Sequence, residues 1–364
     1  MSIEITRREM LLRGVGAATG LPAIISSSAT GAAQNPKPAR IKLALALPTG
    51  NPARWQLARQ IGVDHAIVDV SRALMKVSRD NYVDTLAKIK ADYEAAGLAI
   101  AGVESHPVGA HRIKLGLPDR DEEIDNYCAA IEALGKVGIP MCCYNFMAGI
   151  GWYRTKTDAP ERGGALTTEF DNRDADKQGL TRWGEISEEK IWDNLTYFLK
   201  RIIPVAERVG VKMALHPDDP PISPLRGIAR ILTSADNYRR VLDIVPSPVN
   251  GITFCQANFK AMGEDIEKVA REFCDQGKVF FVHFRDIEGQ GERFRETFHD
   301  NGPTDMPRML QVYHEAGFEG PIRPDHAPTL VGESNDSPGY AIQGKIFAIG
   351  YMKGIMQALS IPYQ

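Results

Sequence analysis

Neither sign of charge dominates this chain, and no stretch of it is apolar for long enough to serve as a permanent transmembrane helix. Lys and Arg number 43 against 46 Asp and Glu, giving a formal net charge of -3. That balance excludes bulk affinity for nucleic acid or for a membrane surface. Cysteine is scarce: 5 in 364 residues, at Cys128, Cys142, Cys143, Cys255 and Cys274. An odd number without dense spacing excludes a disulfide scaffold. No Pro/Gly/Ser-rich linker divides the chain after residue 40, so one domain is expected. A Gly-rich dinucleotide loop is missing after the first apolar run, which argues against an open doubly wound sheet.

The first forty residues differ from the rest. Thr6-Arg7-Arg8-Glu9-Met10-Leu11-Leu12 sets paired arginines ahead of a mildly apolar, Gly/Ala-rich stretch, and Ala29-Thr-Gly-Ala-Ala33 supplies small residues suited to cleavage. This resembles a twin-arginine export signal. Gly14, Gly16, Gly20 and Pro22 weaken the competing reading as an amphipathic first helix. The expected division is a signal over residues 1–33 and a catalytic domain over 34–364. The protein would be carried by the twin-arginine machinery and would work outside the cytoplasm, in a periplasm.

What the remainder does contain is rhythm. Short apolar runs, of the kind a strand buried on both faces produces, occur at Lys42–Leu47, His65–Val70, Ala99–Glu104, Met141–Phe146, Lys212–His216, Gly251–Cys255, Val279–Phe284 and Pro321–Asp325. Helix-like segments lie between them: 52–61, 81–96, 121–137, 187–209, 234–244, 265–274 and 306–316. Several stop at a glycine just before the next run, as at Gly97, Gly138, Gly210 and Gly317, which suits helix capping. Alternation of this kind closes most economically as a single (β/α)8 barrel. One interval is out of proportion. Met147 to Glu185 reads as a long insertion after the fourth strand, with Trp152–Arg154 placed for substrate and the distal half open between a lid and a solvated loop.

Four of the runs end in a side chain able to bind metal: His216, Cys255, His283 and Asp325. Barrel enzymes build their sites at these strand ends. Two imidazoles, a thiolate and a carboxylate suit a borderline divalent cation such as Mn²⁺, Fe²⁺, Co²⁺ or Zn²⁺ and argue against Ca²⁺ or Mg²⁺. Spread over four successive strands, they fit an open catalytic site better than a structural zinc site. Cys142 and Cys143 sit within an apolar run and are expected to be core.

More specific pieces are Val103-Glu-Ser-His-Pro-Val108 with Ile113-Lys-Leu-Gly116, Cys143-Tyr-Asn-Phe-Met147 followed by Trp152-Tyr-Arg-Thr155, Phe284-Arg-Asp286, Arg295-Glu-Thr-Phe-His299 and Arg323-Pro-Asp-His326. With them the chain resembles the mannonate dehydratase family of xylose-isomerase-like barrels over nearly its whole length after the signal. The resemblance implies metal ligands at His216, Cys255, His283 and Asp325, with Mn²⁺ or Fe²⁺ the expected metal. It implies a catalytic Tyr340, with acid–base work shared between Tyr340 and the Asp325/His326 pair. The implied reaction is β-elimination of water from a sugar acid, D-mannonate giving 2-keto-3-deoxy-D-gluconate. Arg154 and Lys114 are expected as carboxylate clamps, and Trp152, Arg295 and His299 as further substrate-binding residues. A homo-oligomer is expected on the resemblance alone. Two other readings stay open: a metal-dependent sugar isomerase, epimerase or lyase on the same barrel, and a non-catalytic sugar-acid binder. Cys255 counts against a simple ketose epimerase, and Tyr340 against a mere binder.

Overall fold

The computed structural model describes residues 41–364, so the arginine-pair segment and the expected boundary at residue 33 lie outside the described residues. Eight parallel strands form a closed barrel: β1 (Ile41–Ala46), β2 (His65–Val68), β3 (Ala99–Glu104), β4 (Met141–Asn145), β5 (Lys212–His216), β6 (Asn250–Cys255), β7 (Val279–Phe284) and β8 (Gly320–Pro324). Each pairs with its neighbours in sequence, and β8 returns to β1. All eight coincide closely with the apolar runs, because a strand covered on both faces has no reason to alternate.

The helices α1 (Pro52–Gln60), α2 (Tyr82–Ala95), α3 (Arg120–Val137), α4 (Glu188–Val209), α5 (Ala235–Ile244), α6 (Ile266–Asp275), α7 (Met306–Glu315) and α8 (Ile342–Ala358) follow the strands. Their starts are chemically marked: Ser187, Ser234, Asp265 and Asp305 each accept a hydrogen bond from the amide three residues on. Such a cap is worth about 1 kcal/mol. At the other end, Gly138 and Gly210 take φ of 72° and 70°, a left-handed turn that closes α3 and α4 at little steric cost. Helix α8 has no counterpart among the seven helical segments read from the sequence. Gly344, Gly350 and Gly354 interrupt its pattern, and glycine weakens a helical signal by about 1 kcal/mol each.

Two apolar layers hold the barrel. The larger lies between strands and helices. The smaller fills the barrel interior with Ala44, Ile67, Ala101, Met141, Cys143, Ala214, Phe280 and Phe281. A Cβ at Gly251 would run into the Phe280 ring and the Lys278 carbonyl, so only glycine lets β6 and β7 pack this closely.

The long interval after β4 is not structureless. Lys156–Pro160 and Leu166–Asp171 form a hairpin. It joins a second hairpin, Ile287–Gln290 and Arg293–Glu296, that follows β7. Arg293 pairs with Asp171 and Arg295 with Glu169, closing a four-stranded antiparallel sheet beside the barrel mouth.

Candidate active site

Strand periodicity places the donors. Ala214 and Phe281 belong to the barrel interior, and His216 and His283 stand two residues further along the same strands, on the same face. Cys255 and His283 are in register between β6 and β7, and Asp325 follows directly on β8. His216, Cys255 and His283 therefore cluster, and Asp325 lies against them. His216 Nε2 lies 3.2 Å from His283 Nδ1, His283 Nδ1 is 3.6 Å from Asp325 Oδ2, and Cys255 Sγ is 3.8 Å from the same oxygen. Ligand atoms of His216, Cys255 and His283 all fall within 4.8 Å of one another.

Whether this set fits a cation can be judged from what surrounds it. His216 Nδ1 is 2.8 Å from the Pro217 carbonyl, which accepts its proton and leaves Nε2 as a lone pair facing inward. Burial lowers the His216 pKa and keeps the ring neutral, as a ligand must be. His283 Nε2 faces Glu104 Oε1 at 3.3 Å, the carboxylate–histidine arrangement common behind metal ligands. Burial pulls the His283 pKa down and Arg323 adds to this, yet Asp325 and Glu104 raise it to about 9. A divalent cation at Nδ1 would displace that proton. The donor types and their orientation fit a borderline divalent metal.

His216, His283 and Asp325 bound a cavity of about 150 Å³, with Ser105, Asn145, Trp152, Asp219, His326 and Tyr340 also on its wall; Cys255 lies behind it. It is smaller than the roughly 300–1,000 Å³ of drug-sized sites, which suits a small polar substrate. Cys143, expected in the core, belongs to the barrel interior and also forms part of this wall. It accepts a hydrogen bond from Thr253 at 3.1 Å, and burial pushes its thiol pKa well up, so it is an inert thiol rather than a thiolate.

From this wall inward runs a buried network of guanidiniums and carboxylates. Arg323 grips Glu104 through two nitrogens, at 2.5 and 2.9 Å, and reaches Asp325 at 2.9 Å. Arg285 bonds Glu296 at 3.0 Å, Asp219 at 2.7 Å and Asp325 at 2.7 Å, and also meets Asn258. Burial alone would raise the Glu104 and Asp325 carboxyls; the adjoining cations hold both well below the usual range.

Glu296, His326 and Tyr340 form a hydrogen-bonded chain. Glu296 Oε1 lies 2.8 Å from His326 Nδ1, and His326 Nε2 lies 2.9 Å from the Tyr340 hydroxyl. Trp152 packs edge-on against His326 at 5.2 Å between centroids. Although 46% of Tyr340 is exposed, its hydroxyl turns inward. Burial, with the charge of Asp325, raises its pKa and keeps the phenol protonated.

The other predicted substrate residues divide. Trp152 is on the cavity wall. Lys114 stands one residue back, donating to Asn145 Oδ1 at 2.7 Å; burial lowers its pKa to about 7. Arg154 is not a free clamp: both terminal nitrogens are taken, by Asp219 at 2.5 Å and Glu296 at 2.5 Å. Arg295 lies on the small sheet's outer side, bonded to Glu288 at 2.9 Å, away from the cavity wall. His299 is buried, with Nε2 2.8 Å from the Phe284 carbonyl, and burial depresses its pKa to about 4. Glu104, Asp219, Arg285 and Glu296 were not among the predicted site residues, although the motifs that carry the resemblance contain Glu104, Arg285 and Glu296. Glu104 closes an apolar run as the donors do, whereas nothing in its local pattern marked Glu296, whose strand pairs with a distant insertion.

The model of the family described as D-mannonate dehydratase (UxuA) matches residues 58–183 and 174–364. The chain is 38% identical over 303 residues to a mannonate dehydratase of Streptococcus agalactiae serotype III (strain NEM316), spanning 76% of this chain and 86% of that one. It is 37% identical over 312 residues to a mannonate dehydratase of Thermotoga maritima, at the same coverage of 76% and 86%. The crystal structure of mannonate dehydratase from Streptococcus suis serotype 2 superposes with a TM-score of 0.81 at 29% identity, over 89% of this chain and 97% of that one. The 3-keto-D-glucoside 4-epimerase of E. coli, at 14% identity and a TM-score of 0.57 over 87% and 99%, shares the fold alone. By its matched length, its identity to these relatives and its barrel, the chain belongs to the mannonate dehydratase family.

Proposed function

We propose that this protein eliminates water from D-mannonate to give 2-keto-3-deoxy-D-gluconate, using the cavity at the C-terminal mouth of the barrel. The observation that carries the reading is that His216, His283 and Asp325, with Cys255 clustered directly behind them, line the same cavity of about 150 Å³ as His326 and Tyr340, whose chain is backed by Glu296. His216, Cys255, His283 and Asp325 would hold a divalent cation, Mn²⁺ or Fe²⁺ by preference, which would supply positive charge that acidifies the C2 proton.

The protein's own groups move the protons. His326, backed by Glu296 at 2.8 Å, accepts the C2 proton. The neutral phenol of Tyr340 gives its proton to the C3 hydroxyl, which departs as water while the C2–C3 double bond forms. The hydrogen bond of 2.9 Å between the two side chains returns the proton from His326 to the tyrosine oxygen, and the enol released relaxes to the 2-keto acid. Glu296 stabilises the transient imidazolium, as a carboxylate does in hydrolytic triads. Lys114, through Asn145, supplies positive field for the substrate anion. The paired arginines at Arg7 and Arg8 support export by the twin-arginine route, with the enzyme meeting its substrate in the periplasm.

The test is a mass-resolved assay of Mn²⁺-loaded protein against D-mannonate and a panel of aldonates and neutral sugars. Loss of 18 Da from D-mannonate, water leaving by the elimination, is the expected result. Conversion of another panel member with D-mannonate untouched would overturn it.

A further inference from the structure

Tyr340 has an unusual setting for a proton donor. It follows Gly339, at φ 81°, at the end of a loop, and nearly half its surface is exposed. Burial in the core does not fix its ring, yet its hydroxyl must stay within hydrogen-bond reach of His326. The support comes from helix α8. Lys345, in its first turn, is buried to 3% exposure, and its Nζ lies 4.6 Å from the centroid of the Tyr340 ring. Among the described residues it forms no salt bridge with a carboxylate. Burial at a helix N-terminus, with Arg323 nearby, disfavours the ammonium, and the charges of Asp325 and Glu104 offset this only in part. The group it directly contacts is the negative face of the ring.

We propose that Lys345 is a positioning residue for Tyr340: its ammonium seats the phenol ring so that the hydroxyl meets His326. This rests on the reading of Tyr340 as the group that transfers protons to substrate. A rigid helix thereby fixes a group carried on a loop, which is the support a precisely placed site requires. Trp152, at 6.5 Å between centroids, closes another side of the ring.

The test compares K345M, which keeps volume and removes the cation, with K345R, which keeps a cation able to stack on the ring. K345M is expected to lower kcat by about 10- to 30-fold, the change that loss of a desolvated cation–π contact implies. KM for D-mannonate, bound metal and melting temperature should stay near wild type, K345R should recover most of the rate, and K345M should add nothing in a Y340F background. A crystal structure of K345M gives a readout independent of turnover, with the Tyr340 hydroxyl expected beyond hydrogen-bond distance of His326. Wild-type kcat in K345M, a rise in KM with kcat intact, an equally slow K345R that melts normally, or an unmoved Tyr340 ring would each overturn the assignment. An inactive wild type in the same assay would instead overturn the dehydratase reading, leaving the crystallographic arm to decide the positioning.

Discussion

Single side chains at the barrel mouth separate metal binding from proton transfer. Cys255→Ala removes the one sulfur donor, and bound Mn²⁺ measured by elemental analysis should fall at least tenfold, with activity following it. Tyr340→Phe keeps all four donors, so metal content should hold while kcat drops by about 10²–10⁴-fold, the range for loss of a positioned acid. Lys114 adds a pH signature. Its pKa, lowered from 10.5 to about 7 by burial, leaves the charged form to dominate only below that value. Between about 7 and 10.5 the unfolded chain binds more protons there than the folded one, so this group's contribution to stability improves as pH rises across that window. Attraction of an anionic substrate runs the other way, and kcat/KM should decline as pH passes about 7, with a limb that K114M removes. The donors were legible in the sequence because each closes an apolar run. Arg154 was misread because a lone arginine beside a site looks the same whether it faces substrate or, as here, Asp219 and Glu296.

At the scale of elements, the hairpin after β7 turns alternation into function. Successive residues on a strand face opposite ways. Arg295 accordingly reaches Glu288 on the outside, while Glu296 enters the buried network and holds His326. Arg295→Ala should leave kcat and KM within about twofold of wild type. Glu296→Gln strips a charge from between Arg154, Arg285 and His326. It should cost roughly 3–5 kcal/mol in chemical denaturation, as breaking a buried ion pair does, and should slow kcat at least 100-fold. A Glu296→Gln enzyme with normal kcat would remove the carboxylate from the proton chain. The small sheet was illegible in the sequence for a physical reason. Leu166–Asp171 has four polar residues in six, and it is held as a strand between the neighbouring Lys156–Pro160 and Arg293–Glu296, more than a hundred residues away. The barrel strands announce themselves because both their faces are covered, whichever neighbour covers them.

For the whole molecule, a cation held by the proposed donors would tie β5, β6, β7 and β8 together, so binding to the folded form alone should add stability by mass action. Chelation should lower the melting temperature by several degrees, about 2.7 kcal/mol for a metal held at a hundred times its Kd, and Mn²⁺ should restore it. An unchanged melting curve would mean the donors hold no metal in solution. The four-stranded sheet carries one more consequence, for the order of events as the chain matures. Its strands come from insertions after β4 and β7, so it can assemble only once the barrel has brought those strand ends to the same face. The donor set needs the barrel alone, whereas the carboxylate behind His326 arrives with the second hairpin. A refolding chain should therefore capture its cation before it turns over substrate, and the small sheet's amides should be the first to exchange with deuterium when the native protein opens.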